Sequence, residues 1–366
     1  GTIVHLFSRE RLMASNPLHA FCDDALGHDD ATALAERLRQ GQVSNREVTE
    51  AAIARLQRVE PTLKGLTLDT FDAARQRADS KRFNGFFAGV PSLIKDNLDL
   101  RGLPTGHGSR ALGQAPLKKT SGIAKQYLAQ GFNLLGKSTL PAFGFTASTE
   151  QVGVSATRNP WHSDYSAGGS SGGSAALVAA GAVPIAHGND GGGSIRIPAA
   201  CCGLVGLKGT RGRLIDQEAA KVLPVNIVND GVLTRSVRDT AHFFMEAERY
   251  YRNRKLKPIG QVTGPGKQRL RVGMMIDSVT GDATCPQTRP RRGRHRPTAG
   301  KPGAHRGRGP HRPARPVRGR FSALLGHARL PGQQGRQGPV PARLRCRPAG
   351  PAYPWPGRLL PATFSE

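Results

Sequence analysis

Residues 168–198, GGSSGGSAALVAAGAVPIAHGNDGGGSIRIP, decide the fold. A Gly/Ser loop at 168–174 leads into an Ala-rich run, 174–182, suited to a helix packed closely on a sheet. A short apolar strand follows, Val183-Pro184-Ile185-Ala186, and enters a second glycine loop at Gly188. Loop, helix, strand and loop in this succession are the texture of an α/β protein.

The neighbouring sequence continues the alternation. Phe86 to Pro91 and Leu93-Ile94-Lys95 read as loop and strand, Ile123 to Gln130 as a helix ended by Gly131, and Phe132 to Leu135 as a buried strand. Leu204 to Leu207 reads as another strand. The fold class expected is α/β, with a mixed, largely parallel sheet flanked by helices. Residues 31–80 are helical in pattern. A first helix covers 33–38, and the capping box Ser44-x-x-Glu47 opens a second, with Val48, Ala52, Ile53 and Leu56 on one face. A third runs from Phe71 to Ala78.

The formal net charge of +27 is unevenly spread. Residues 281–366 hold 18 Lys+Arg and two acids, Asp282 and Glu366, with 15 prolines after Cys285. Two readings fit: a disordered basic tail able to bind nucleic acid, or out-of-frame translation of GC-rich coding sequence. The abrupt change near Thr284 to Arg289 favours the second. The domain division expected is an N-terminal extension at 1–30, an α/β domain at 31–282, incomplete at its C-terminal side, and a basic tail at 283–366. The five cysteines form no CxxC pair and no metal-ligand spacing, which fits free thiols in a reducing compartment. No signal-peptide pattern or transmembrane-length run is present, so a cytoplasmic location and no membrane partner are expected.

Three blocks carry chemistry: residues 89–97 around Lys95, residues 168–174, and residues 190–198 around Ser194. Each alone has an ordinary explanation. Lys95 and Asp96 would make a solvated surface pair, 168–174 a flexible linker, and 191–193 a turn or an anion nest. Neither glycine loop has the Lys-Ser/Thr of a P-loop. Together they say more. A lysine in the apolar setting Leu93-Ile94 can lose its proton, because burial disfavours the charged form. A neutral amine beside a serine hydroxyl can then serve as general base. Three glycines before Ser194 let successive N–H groups converge on one oxyanion.

These blocks, in this order, resemble the amidase signature family of amide hydrolases. The two serines stand 24 residues apart and the lysine 75 before the first, spacings that also fit that family. Further matches are residues 143–150, 158–161 and 200–208, so that the resemblance covers about 31–282. It implies Ser194 as nucleophile, Ser170 as a bridging serine held by a cis peptide, and Lys95 as the base acting through it. The oxyanion hole falls to the backbone N–H groups of residues 191 to 194, with Gly191, Gly192 and Gly193 also meeting the substrate and Ser171, Asp190 and Arg196 in support. Asp190 and Arg196 would brace the nucleophile loop by a charge-assisted contact. No metal and no organic cofactor is implied.

The segment His187-Gly188-Asn189-Asp190 departs from the commoner Gly-Thr-Asp form and is similar to a subgroup that includes 6-aminohexanoate cyclic-dimer hydrolases. Gly209 stands where the family usually has proline. The resemblance implies a small-molecule amide, linear or cyclic, as substrate, and leaves a homo-oligomer open. Nucleic acid enters as a partner only if the basic tail is genuine. Arg271 to Asp277 looks like the family's next strand, after which the pattern dissolves. Alternatives are a glutamyl-tRNA amidotransferase A-type subunit, an inactive frameshifted amidase and a basic nucleic-acid-binding protein. A nucleophile elbow at Ser170 would need a strand before it, whereas 159–164 reads as loop.

Overall fold

In a computed structural model of the chain, the residues described are 17–80, 82–151, 153–221, 224–264, 270–272 and 304–306. The chain divides into two units, one of which is Ala14–Thr263. This unit opens with helices α1 (Ala31–Arg39) and α2 (Asn45–Leu63). Asp30 caps α1 by accepting the Ala33 N–H, and Ser44 and Glu47 cap α2 reciprocally, as their spacing predicts. The apolar face of α2, from Val48 through Leu63, is buried.

Then come β1 (Leu66–Asp69), α3 (Phe71–Ser80), β2 (Pro91–Lys95), α4 (Gly122–Leu128) and β3 (Asn133–Ser138). A two-stranded hairpin, β4 (Arg158–Asn159) and β5 (His162–Ser166), precedes α5 (Gly172–Ala179), β6 (Ile185–Asp190) and α6 (Arg196–Cys202). The series closes with β7 (Val205–Gly206), α7 (Glu218–Lys221), β8 (Asn229–Thr234) and α8 (Val237–Tyr250).

Six strands form one sheet in the order β1-β3-β2-β6-β8-β7. Its centre, β3-β2-β6, is parallel, and both flanks pair antiparallel. The sheet is therefore mixed, as expected, with β7 running the same way as the parallel centre. Every residue of β2, β3 and β6 is buried, the mark of strands covered on both faces. Helix α5 is apolar all round, and Ala175, Ala176, Leu177 and Val178 are inaccessible. It lies flush on its neighbours: a Cβ at Gly173 would meet the Gly65 carbonyl oxygen and Thr139 Oγ1 at 2.4 Å.

Three details differ from the expectation. Helix α5 starts two residues earlier, at Gly172, because the preceding loop turns directly into it. Strand β6 does not end at Gly188. It runs to Asp190, since β8 supplies antiparallel partners for all six residues, from Ile185↔Thr234 to Asp190↔Asn229. Residues 159–164 belong to the β4–β5 hairpin, which lies outside the main sheet.

In the second unit, β9 (Leu270–Val272) and β10 (Ala304–Arg306) pair in parallel. The rest of the strand expected over 271–277, the basic tail apart from 304–306, and the N-terminal extension through residue 16 lie outside the described residues. Among the described residues, no helix is long and apolar enough to cross a membrane.

Candidate active site

Lys95 is the last residue of β2, and Asn189 and Asp190 are the last two of β6, its parallel neighbour. Their side chains meet at the carboxyl edge of the sheet, where open α/β sheets place their ligands. The 168–174 loop crosses this edge before entering α5 and carries the cis peptide Gly169–Ser170.

Lys95 is completely buried. Its Nζ donates to Ser170 Oγ at 2.7 Å and to Asn189 Oδ1 at 2.6 Å. Burial lowers its pKa to about 7, against the opposing pull of the Asp230 and Asp190 carboxylates. A buried lysine that titrates near neutrality is a proton acceptor. Neither Lys95 nor Asp96 lies at the surface, so the solvated-pair explanation fails for both.

The loop around Ser194 is fixed from behind by Asp190. Its carboxylate accepts the N–H groups of Gly193 (2.8 Å), Ile195 and Arg196 (both 3.2 Å), and the Arg196 guanidinium at 2.8 and 2.9 Å. Burial pushes the Asp190 pKa up, but these bonds hold it below the ordinary carboxylate value. Ser171 ties the two serine segments together by donating its N–H to the Ser194 carbonyl at 3.1 Å. The Ser194 side chain is half-buried and joins no hydrogen bond among the described residues.

The loop sharpens one expectation. Gly193 spends its N–H on Asp190, so it has none to offer an oxyanion. Gly193 instead serves the turn: its φ is +136°, and a Cβ there would sit 2.6 Å from Ile197 Cδ1.

The structure therefore brings Lys95, Ser170, Ser171, Asp190, Gly191, Gly192, Gly193, Ser194 and Arg196 to one edge. Three further groups join them. Asn189 holds the lysine amine, the buried His187 accepts the Lys95 backbone N–H on Nδ1 at 3.3 Å, and Asp230 faces His187 from β8. Asn189 and His187 stood inside a quoted motif, but their direction depends on β6 continuing to 190. Asp230 had no signal, being brought in by antiparallel pairing. Gly144 also closes on the site, where a Cβ would lie 3.2 Å from Ser170 Oγ. A cavity of about 610 Å³ lined by Arg39, Phe86, Gln130 and Glu246 adjoins the amino ends of β2 and β3, away from these residues.

A profile of the Amidase family matches residues 47–288. The protein AmiC of Mycobacterium leprae (strain TN) is 55% identical over 262 residues, 72% of this chain and 56% of its own length. The 6-aminohexanoate-cyclic-dimer hydrolase of Paenarthrobacter ureafaciens is 37% identical over 273 residues, 69% of this chain and 53% of its own. Among solved structures, a bacterial aryl acylamidase of the amidase signature enzymes superposes with a TM-score of 0.67 at 29% identity, covering 80% of this chain and 61% of that one. The chain spans about half the length of the curated relatives it matches. A family profile over most of the chain and a shared sheet agree with the three sequence blocks, and the chain belongs to the amidase family, the amidase signature enzymes.

Proposed function

We propose that this chain carries the catalytic apparatus for hydrolysing a carboxylic amide, and that residues 31–282 are the domain that bears it. The observation that carries the reading is the completely buried Lys95 amine, 2.7 Å from Ser170 Oγ and with a pKa of about 7. Ser194 Oγ attacks the amide carbonyl carbon and passes its proton to Ser170 Oγ, which gives its own to the neutral Lys95 Nζ. The oxyanion is met by the N–H groups of Gly191, Gly192 and Ser194. The Lys95 ammonium then returns a proton through Ser170 to the departing nitrogen as the C–N bond breaks. Water, deprotonated by the same relay, cleaves the acyl ester on Ser194.

Asp190 and Arg196 keep the loop in the shape that aims those N–H groups. The resemblance of His187 to Asp190 to the cyclic-dimer hydrolase subgroup supports a small amide substrate, linear or cyclic. The test is peptide mapping after exposure of the chain to a fluorophosphonate. The adduct is expected on Ser194 and lost in Ser194→Ala. An adduct on Ser170 would replace this reading with the nucleophile elbow.

A further inference from the structure

Strands β2 and β6 pair at Ser92↔Ile185 and Leu93↔Ala186, and their ladder then stops. Beyond that point the buried Lys95 N–H would be left without an acceptor, a loss of about 1–3 kcal/mol. The acceptor it finds is a side chain, Nδ1 of the fully buried His187. A ring nitrogen that accepts carries no proton, so the neutral imidazole bears its hydrogen on Nε2. That nitrogen faces Asp230 Oδ1 at 3.0 Å, and the same oxygen accepts from Gln217 Nε2 at 2.6 Å. The chain Gln217, Asp230, His187, Lys95 thus runs from one side of the sheet into the backbone of the base.

We infer that His187 and Asp230 are positioning residues for Lys95: the imidazole seats its backbone, and the Asp230 carboxylate holds the imidazole and adds a negative charge to the lysine's surroundings. This rests on Lys95 being the base of the proposed reaction. Among the described residues, the titratable groups facing Lys95 are few. Asp190 and His187 come from β6 and Asp230 from β8, while the adjacent Asp96 is paired with Lys137 of β3. Asp190 is already matched by the Arg196 guanidinium, whereas Asp230 meets the neutral His187 ring and the Gln217 amide. Desolvation alone would push the lysine toward a very weak base. The Asp230 charge works back against it, so that the amine still takes a proton when Ser170 delivers one.

The experiment follows the Lys95 amine itself, by the ε-carbon shift of ¹³C-labelled lysine, with Lys95→Met used to assign the signal. The parent midpoint is expected near the pKa of about 7. In Asp230→Asn, which keeps an oxygen for both donors but removes the charge, it moves to lower pH by at least about half a unit. An unchanged midpoint overturns the inference. Ring ¹⁵N shifts of His187 in the unaltered chain give a second reading: the neutral ring is expected to carry its hydrogen on Nε2, and the Nδ1–H tautomer overturns the inference. Neither measurement needs turnover. Failure to acylate Ser194 with these shifts intact would therefore refute the proposed function and leave the positioning pair standing.

Discussion

Two lysines sit side by side at the carboxyl edge of the sheet, and they keep different partners. Lys137 on β3 and Lys95 on β2 are both completely buried, in strands paired in parallel at Lys95↔Ser138. Lys137 Nζ meets the Asp96 carboxylate at 2.9 Å, the Pro104 carbonyl at 2.6 Å and Thr105 Oγ1 at 2.9 Å. Burial works against its charge, and Asp96 works for it. Lys95 has around its nitrogen only neutral oxygens, those of Ser170 and Asn189, with its carboxylates held farther off. Burial lowers the pKa of both lysines, and at Lys137 a contacting carboxylate pulls the other way. The residue type is the same, and the partner decides the role.

The contrast breaks most visibly at Lys95. Lys95→Met should slow acylation of Ser194 by about 100- to 10,000-fold, the usual share of a general base. It should also stabilise the fold near neutral pH. The Lys95 pKa of about 7 in the fold lies below its ordinary 10.5, so the unfolded chain binds more protons between those values and parent stability rises with pH. The melting-temperature advantage of Lys95→Met should therefore be greatest at pH 7 and below, and shrink toward pH 10, as a thermal melt series would show. An advantage independent of pH would mean that Lys95 is charged in the fold.

Lys137→Met should do the reverse. It strands the buried Asp96 carboxylate, at a cost of roughly 3–5 kcal/mol, and Asp96→Asn in the same chain should recover most of it. Denaturant unfolding of the single and double variants measures this. A smaller effect is expected at Gly144, where a φ of +71° strains any side chain and a methyl group would press on Ser170 Oγ at 3.2 Å. Gly144→Ala should reduce acylation several-fold, by about 1 kcal/mol, with little change at Lys137. Unfolding and acylation measured on this one variant separate the two sites.

Much of this was legible in the sequence, and the limit has a physical cause. The capping pair Ser44 and Glu47 acts within one helical turn, and Ser170 and Ser194 stand in glycine loops whose composition betrays tight backbone turns. Lys95 announces itself by the apolar Leu93-Ile94 before it. Asn189 and His187 were visible as residues but not as partners, because the length of β6 is set by β8, some forty positions later. The opening of β8, Asn229-Asp230-Gly231, is polar and does not read as a buried strand. Helix α8 did leave a signal in its cap, since Ser236 accepts the Asp239 N–H, and in the buried Phe243, Phe244 and Ala247. The commitment of the Gly193 N–H to Asp190 is a matter of loop geometry that composition does not encode.

The most direct test of the central claim is the rate of fluorophosphonate labelling at Ser194 as a function of pH, compared between the parent, Lys95→Met and the Lys137→Met/Asp96→Asn double variant. In the parent, labelling should rise with pH as Lys95 loses its proton, with a midpoint near the pKa of about 7. The double variant should keep that limb, and Lys95→Met should lack it along with most of the rate. Labelling of Ser194 that stays flat across this range, or that survives Lys95→Met undiminished, would contradict the assignment of Lys95 as the base.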